Sequence, residues 1–192
     1  LHVSNGSSGN TNTAASRIAT FEGNTSSYIQ LLNPSASESG ILAGNEETLI
    51  KSAIVFTNDS AILLRTGGNN TRLYLHRTGN VGINTLPFIP LSMLDVNGSL
   101  GTGIRVVSAT TTLNVNDHTV ILNTGGPITS ILINLPLNNT VTRREYVLVN
   151  QNNFNQSINF QYRDFTNTAT SVIPANSSIT LQSNGANWYR IR

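Results

Sequence analysis

Ala61-Ile62-Leu63-Leu64-Arg65 and Arg72-Leu73-Tyr74-Leu75-His76-Arg77 flank Thr66-Gly67-Gly68-Asn69-Asn70-Thr71. Two short Leu-rich runs around a Gly/Asn turn read as a β-hairpin. Along the second run Leu73, Leu75 and Arg77 share one face and Arg72, Tyr74 and His76 the other, so one face is expected to be buried and one to meet water. The chain then turns at Thr78-Gly79-Asn80, passes through Val81-Gly82-Ile83-Asn84-Thr85 and enters a segment marked by Pro87 and Pro90. Proline cannot donate to a ladder, so this segment is expected to be an edge, a turn or a linker between two modules.

Beyond residue 104 strand candidates crowd together: Thr111 to Val115, Thr119 to Leu122, Ile131 to Leu135, Tyr146 to Asn150, Ser157 to Gln161, Ser178 to Gln182 and Trp188 to Ile191. Between them lie turn clusters such as Asn123-Thr124-Gly125-Gly126-Pro127 and Ser183-Asn184-Gly185. Many short strands at this spacing predict a compact β-sandwich or barrel. No dozen residues carry helical periodicity. The fold class read from the chain is therefore all-β: a fibrous shaft over residues 1–103 and a compact head over residues 104–192. Upstream, Leu1-His2-Val3-Ser4-Asn5-Gly6 resembles Leu94-Asp95-Val96-Asn97-Gly98, an internal repeat that places both copies at the start of a module.

Composition agrees. Hydrophobic residues make up 38% and charged residues 10% of 192, against about a quarter charged in ordinary soluble domains. Asn, Ser and Thr, about a third of the chain, hydrate the surface instead. The net charge of +2 comes from 11 basic and 9 acidic groups. Arg143-Arg144 is the one adjacent basic pair, so the footprint of a nucleic-acid binder is missing. With no cysteine, disulfides, thiolate metal sites and cysteine nucleophiles are excluded together, and stability is expected to come from association. No apolar run is long enough to cross a bilayer as a helix, and membrane insertion is not expected. A start at Leu1 suggests a fragment of a longer chain.

Few groups here can be tuned for catalysis. A glycosidase needs two carboxylates about 5–10 Å apart across a cleft, but Glu46-Glu47 reads as a solvated turn. His2, His76 and His118 lack metal-ligand spacing. The Asp117-His118 pair reads either as an oriented imidazole or as an exposed strand edge. Neither a Gly-x-Ser-x-Gly elbow nor a phosphate-cradling glycine loop is present, so no catalytic residue, metal site or cofactor is assigned. Triplets such as Asn24-Thr25-Ser26 and Asn58-Asp59-Ser60 match glycosylation acceptors but arise by chance in a chain this rich in those residues.

For binding, the informative cluster is Phe160-Gln161-Tyr162-Arg163-Asp164-Phe165. Aromatic plates beside a guanidinium and a carboxylate suit a sugar ring with its apolar face and hydroxyl rim. The same residues also read as core aromatics with an Arg163–Asp164 loop pair. Tyr162, Arg163, Asp164 and Trp188 are the candidate ligand-binding residues. Tyr146, Arg143 and Arg144 are further surface candidates.

Two motifs carry a resemblance. Gly79-Asn80-Val81-Gly82-Ile83-Asn84-Thr85, followed after prolines by Leu94-Asp95-Val96-Asn97-Gly98, resembles a motif of phage tail fibres and related bacterial surface proteins, with Asn84 where the family has Gly. Thr110-Thr111-Thr112-Leu113-Asn114-Val115-Asn116-Asp117 and Leu181-Gln182-Ser183-Asn184-Gly185-Ala186-Asn187-Trp188-Tyr189 resemble the start and end of the terminal head of viral and phage fibres. The resemblance implies an intertwined homotrimer, located on a virion or a cell surface, whose head contacts a host glycan or protein receptor. A bacterial adhesin or injection-device fibre, a purely structural fibre tip, and a polysaccharide depolymerase using Asp164 or Glu145 are the alternatives. They differ in the upstream attachment region, in receptor binding and in cleavage products.

Overall fold

The computed structural model of the chain describes residues 2–5, 20–23, 25–26, 28–123, 125 and 130–192. Asn24 of the first glycosylation triplet, Leu1 and Gly6 of the repeat, and Thr124, Gly126 and Pro127 of the expected turn lie outside them. Among the described residues the protein is all-β, with one turn of 3-10 helix at Asn138–Thr140 as its only helical element. It divides into two compact units, Leu1–Ser99 and Leu100–Arg192.

In the first unit β1 (His2–Asn5) pairs in parallel with β2 (Thr20–Gly23). A separate six-stranded sheet runs in sequence order through β3 (Ser39–Ala43), β4 (Ser52–Phe56), β5 (Ile62–Thr66), β6 (Asn70–Leu75), β7 (Val81–Ile83) and β8 (Leu94–Val96). Strands β3 to β7 form an antiparallel meander, and β8 returns parallel to β7. The β5–β6 hairpin matches the sequence reading, and its turn needs the positive φ of Gly67 and Gly68, 63° and 84°.

The proline segment does not separate modules. It loops from β7 and brings Leu94–Val96 back beside Val81–Ile83 in register. Asn80 Nδ2 donates to Pro90 O (2.8 Å), and Asn97 Nδ2 donates to Asn84 O (3.1 Å). Pro90 also lies so near β7 that a Cβ on Gly82 would meet its Cγ at 2.7 Å and collide with Thr85 Oγ1. Gly82→Ala is therefore expected to lower the unfolding midpoint of the first unit by several degrees in a thermal melt, while leaving that of the second unchanged.

The sheet's two faces are not divided as the hairpin pattern suggests. Val55, Leu63 and Tyr74, 2%, 5% and 7% exposed, form a small core with Ala53 and Ala61. The opposite face is also apolar, in two rows read across the strands. The first runs Ile41, Ile54, Leu64, Leu73, Ile83 and Val96; the second runs Phe56, Ile62, Leu75, Val81 and Leu94. Leu73 and Leu75 thus lie on the face left open, while Tyr74 is inside.

The second unit is one nearly closed, barrel-like sheet. Its strands are β9 (Ile104–Val107), β10 (Thr111–Thr112), β11 (Thr119–Leu122), β12 (Leu132–Asn134), β13 (Glu145–Asn150), β14 (Gln156–Arg163), β15 (Ala169–Ile173), β16 (Ser177–Ser183) and β17 (Trp188–Arg190). The chain winds in coils: β9, β11 and β13 stack in parallel, as do β10, β12 and β14. Antiparallel β15 and β16 then flank β14 and β13, and β17 bridges β14 to β16. Between the stacks lies one core, with Val120, Leu122, Ile131, Ile133, Tyr146, Leu148, Ile173, Ile179, Leu181 and Trp188 all at 0–1% exposure.

Where short strands end, backbone groups need other partners, and side-chain amides supply them. Asn159 Oδ1 accepts from Leu135 N (2.8 Å) while its Nδ2 donates to Leu135 O (3.3 Å), imitating a strand neighbour. Asn150 Nδ2 donates to Phe154 O and Pro174 O, both at 2.9 Å, and Gln156 Oε1 accepts from Ile131 N. The abundance of Asn thus has a structural cause at these corners.

Candidate functional site

Period-two alternation places the sequence candidates. On β14, Ile158 and Tyr162 point into the core at 3% exposure each, and Trp188 of β17 is 1% exposed. Tyr162 donates its hydroxyl to Val172 O (2.7 Å), and burial pushes its pKa up. Trp188 packs on Tyr146 with ring centres 5.7 Å apart. Both rings are consumed by packing and offer no free face to a ligand, a correction to their candidacy that follows from inward parity.

Arg163 and Asp164 are partly exposed and do not pair with each other. Arg163 Nη1 donates to Asn167 O (3.3 Å). Asp164 Oδ1 closes its own turn, accepting from Thr166 Oγ1, Thr166 N and Thr168 N at 2.8–2.9 Å. Those bonds, the Thr166 hydroxyl first, hold its carboxyl below the usual range. Phe165, 67% exposed, stacks under the Arg190 guanidinium at 4.9 Å.

Because Tyr162, Trp188 and Ser183 share the inner face, their chain neighbours share the outer one. Register brings Arg163, Tyr189, Gln182 and Glu145 side by side across β14, β17, β16 and β13. All four are partly exposed. Three strand spacings of about 4.8 Å give the row a length of about 14 Å. A phenol ring thus stands between a guanidinium and an amide, with a carboxylate beyond, which is the donor, acceptor and stacking set that a hydroxylated ring ligand uses. Gln182 Nε2 donates to Arg143 O (3.2 Å). Of this row the sequence singles out Arg163, for ligand binding, and Glu145, for the depolymerase alternative, but neither Tyr189 nor Gln182; the alternation of Ile158, Phe160 and Tyr162 is the signal that sets which neighbours face outward.

Two clefts in this unit are structural in their chemistry. One, of about 310 Å³, is lined by Gly103, Ile104, Arg105, Asn114, Asn116 and Asp117. Arg105 Nε and Nη2 lie 2.5 and 3.0 Å from the Asp117 carboxylate, which also accepts from Asn114 N (2.8 Å). Burial alone would raise the Asp117 pKa; the Arg105 and Asn114 bonds and the Arg105 charge together lower it. Asp117 is therefore engaged by Arg105 and not by His118, whose Nδ1 lies 3.1 Å from Thr119 Oγ1. The other cleft, of about 430 Å³, is lined by Val149, Asn150, Gln151, Asn176, Ser177 and Ser178, and its Asn150 amide is spent on backbone carbonyls.

Among the described residues no group of three His, Asp or Glu side chains could hold a metal ion, and no helix is long and apolar enough to cross a membrane. Glu46 and Glu47 lie in an exposed bend. No family model and no curated protein sequence matches the chain.

Proposed function

We propose that the chain is a fragment of a homotrimeric attachment fibre, of the phage or viral tail-fibre kind, whose first unit is shaft and whose second is a receptor-binding head without catalytic activity. The observation that carries this reading is the geometry of the motif behind the resemblance. Its two halves are one structural unit, with β7 and β8 in parallel register and their following Asn84 and Asn97 joined by a side-chain bond. Asn84, where the family has Gly, has φ 55°, a left-handed conformation that Gly adopts most readily and Asn next. The departure from the motif is thus a substitution the backbone tolerates.

The head would bind a surface glycan along the Arg163–Tyr189–Gln182–Glu145 row. Contacts on an open sheet are individually weak, and three copies on one surface would raise the effective affinity by avidity. Binding of the assembled protein to host surfaces or to a panel of their polysaccharides tests this. The expected result is binding that falls at least about tenfold in Tyr189→Ala and Arg163→Ala while Phe165→Ala keeps it. No binding to any surface by correctly assembled protein would sink the attachment reading and leave a structural fibre end.

A further inference from the structure

The open face of the six-stranded sheet departs from what an antiparallel sheet in water requires. Such a sheet is usually apolar toward its core and polar toward solvent. Here the face turned away from the small core is apolar as well. On the open side Ile54, Phe56, Ile62, Leu64, Leu75 and Ile83 are each 37–42% exposed, and Ile41 and Leu94 reach 59% and 55%. No charged residue stands in either row.

We infer that this two-row face is the surface through which copies of the chain associate, sheet against sheet, burying a shared apolar core. Three observations select a second copy as the occupant. The face carries no charge, so nothing on it would single out a charged partner. An apolar sheet face is best covered by another of the same breadth, as in packed sheets about 10 Å apart, and each further copy of this chain supplies one. The eight most exposed residues of the two rows alone present roughly 600 Å², the lower end of the per-partner share of a standard stable interface and the upper end of the apolar patch normal on a monomer.

The same face explains the spelling of the fibre-like motif. Val81 and Ile83, and Leu94 and Val96, each present both side chains to it, while Gly82 and Asp95 fall on the other side. The apolar letters of the motif are therefore interface letters. This deepens the fibre reading, resting on it only for the number of copies.

The chain has no cysteine, so one introduced thiol reports one position. Ile54→Cys and Lys51→Cys, each in the full chain, are compared for maleimide labelling rate across a dilution series, with light scattering giving the mass at each concentration. The expected result is a multiple of 20.6 kDa with the Ile54→Cys thiol protected at least tenfold relative to Lys51→Cys. Dilution to monomer should abolish that protection. Leu64→Thr, which replaces an apolar side chain with a polar one that still favours strand, should raise the concentration at which the assembly dissociates. An assembly in which Ile54→Cys labels as freely as Lys51→Cys overturns the inference and leaves the attachment reading standing. A monomer at all concentrations overturns it too, and protection in that monomer would mean that the chain covers its own face. Loss of glycan binding alone touches the head and not this surface.

Discussion

Trp188→Ala is expected to destabilise the second unit by about 3–5 kcal/mol, the cost of removing a large aromatic ring from a closed core. The indole is 1% exposed and packs on Tyr146, also fully buried, so the cavity has little freedom to collapse. For a unit of this size the loss should lower the midpoint of thermal unfolding by roughly 15–25 °C. Trp188→Phe should cost much less. Indole Nε1 is buried with no hydrogen-bond partner, and removing an unsatisfied donor recovers about 1–3 kcal/mol that partly offsets the lost area. Urea unfolding followed by circular dichroism checks both. A Trp188→Phe cost larger than the lost ring area alone predicts would mean that Nε1 is satisfied in solution.

Arg105→Ala is the second large effect. The Asp117 side chain is 4% exposed, and removing its guanidinium leaves a desolvated carboxylate with one backbone donor. Breaking a fully buried pair costs about 3–5 kcal/mol. Arg105 keeps 39% of its side-chain exposure, so about 2–3 kcal/mol is expected here. The same pair sets an acid limit. Because the folded pKa of Asp117 is depressed, its contribution is complete above the ordinary carboxylate value and is lost as pH falls through the folded one. Stability of the second unit should decline below about pH 4, and Arg105→Ala should flatten that decline. A pH profile of urea midpoints for both proteins measures it.

The strands of the second unit were legible where apolar residues alternate. Thr119–Leu122 matches the expected strand, and β13, β14, β16 and β17 lie within a residue or two of expectation. Missed elements have physical reasons. Strand β15, Ala169–Ile173, buries only Ile173 deeply, so its Thr and Ser give no apolar alternation to mark a strand. Strand β9 exposes Ile104 and Val106, 66% and 63%, as an edge does, which weakens any periodic signal. Parallel and antiparallel pairing share the same period of two, so the coiled winding of β9 to β14 could not be read from pattern. The open apolar face was hidden for a related reason: each strand contributes only one or two residues to it, and the rows exist only once register joins the strands. Of the sequence candidates, parity turns Tyr162 and Trp188 into the core and leaves Arg163 outward; Tyr189, also outward, was not singled out because the neighbouring indole is the larger aromatic.

The amide corners carry a consequence for the environments this molecule tolerates. Asn159, Asn150 and Gln156 close the ends of the coils with uncharged dipoles, which counter-ions do not screen. A structure tied by carboxylate and ammonium pairs loosens as the Debye length shrinks to about 3 Å in molar salt. One tied by carboxamides has no such dependence, so apart from the Arg105–Asp117 pair the second unit should hold its shape from fresh water to brine.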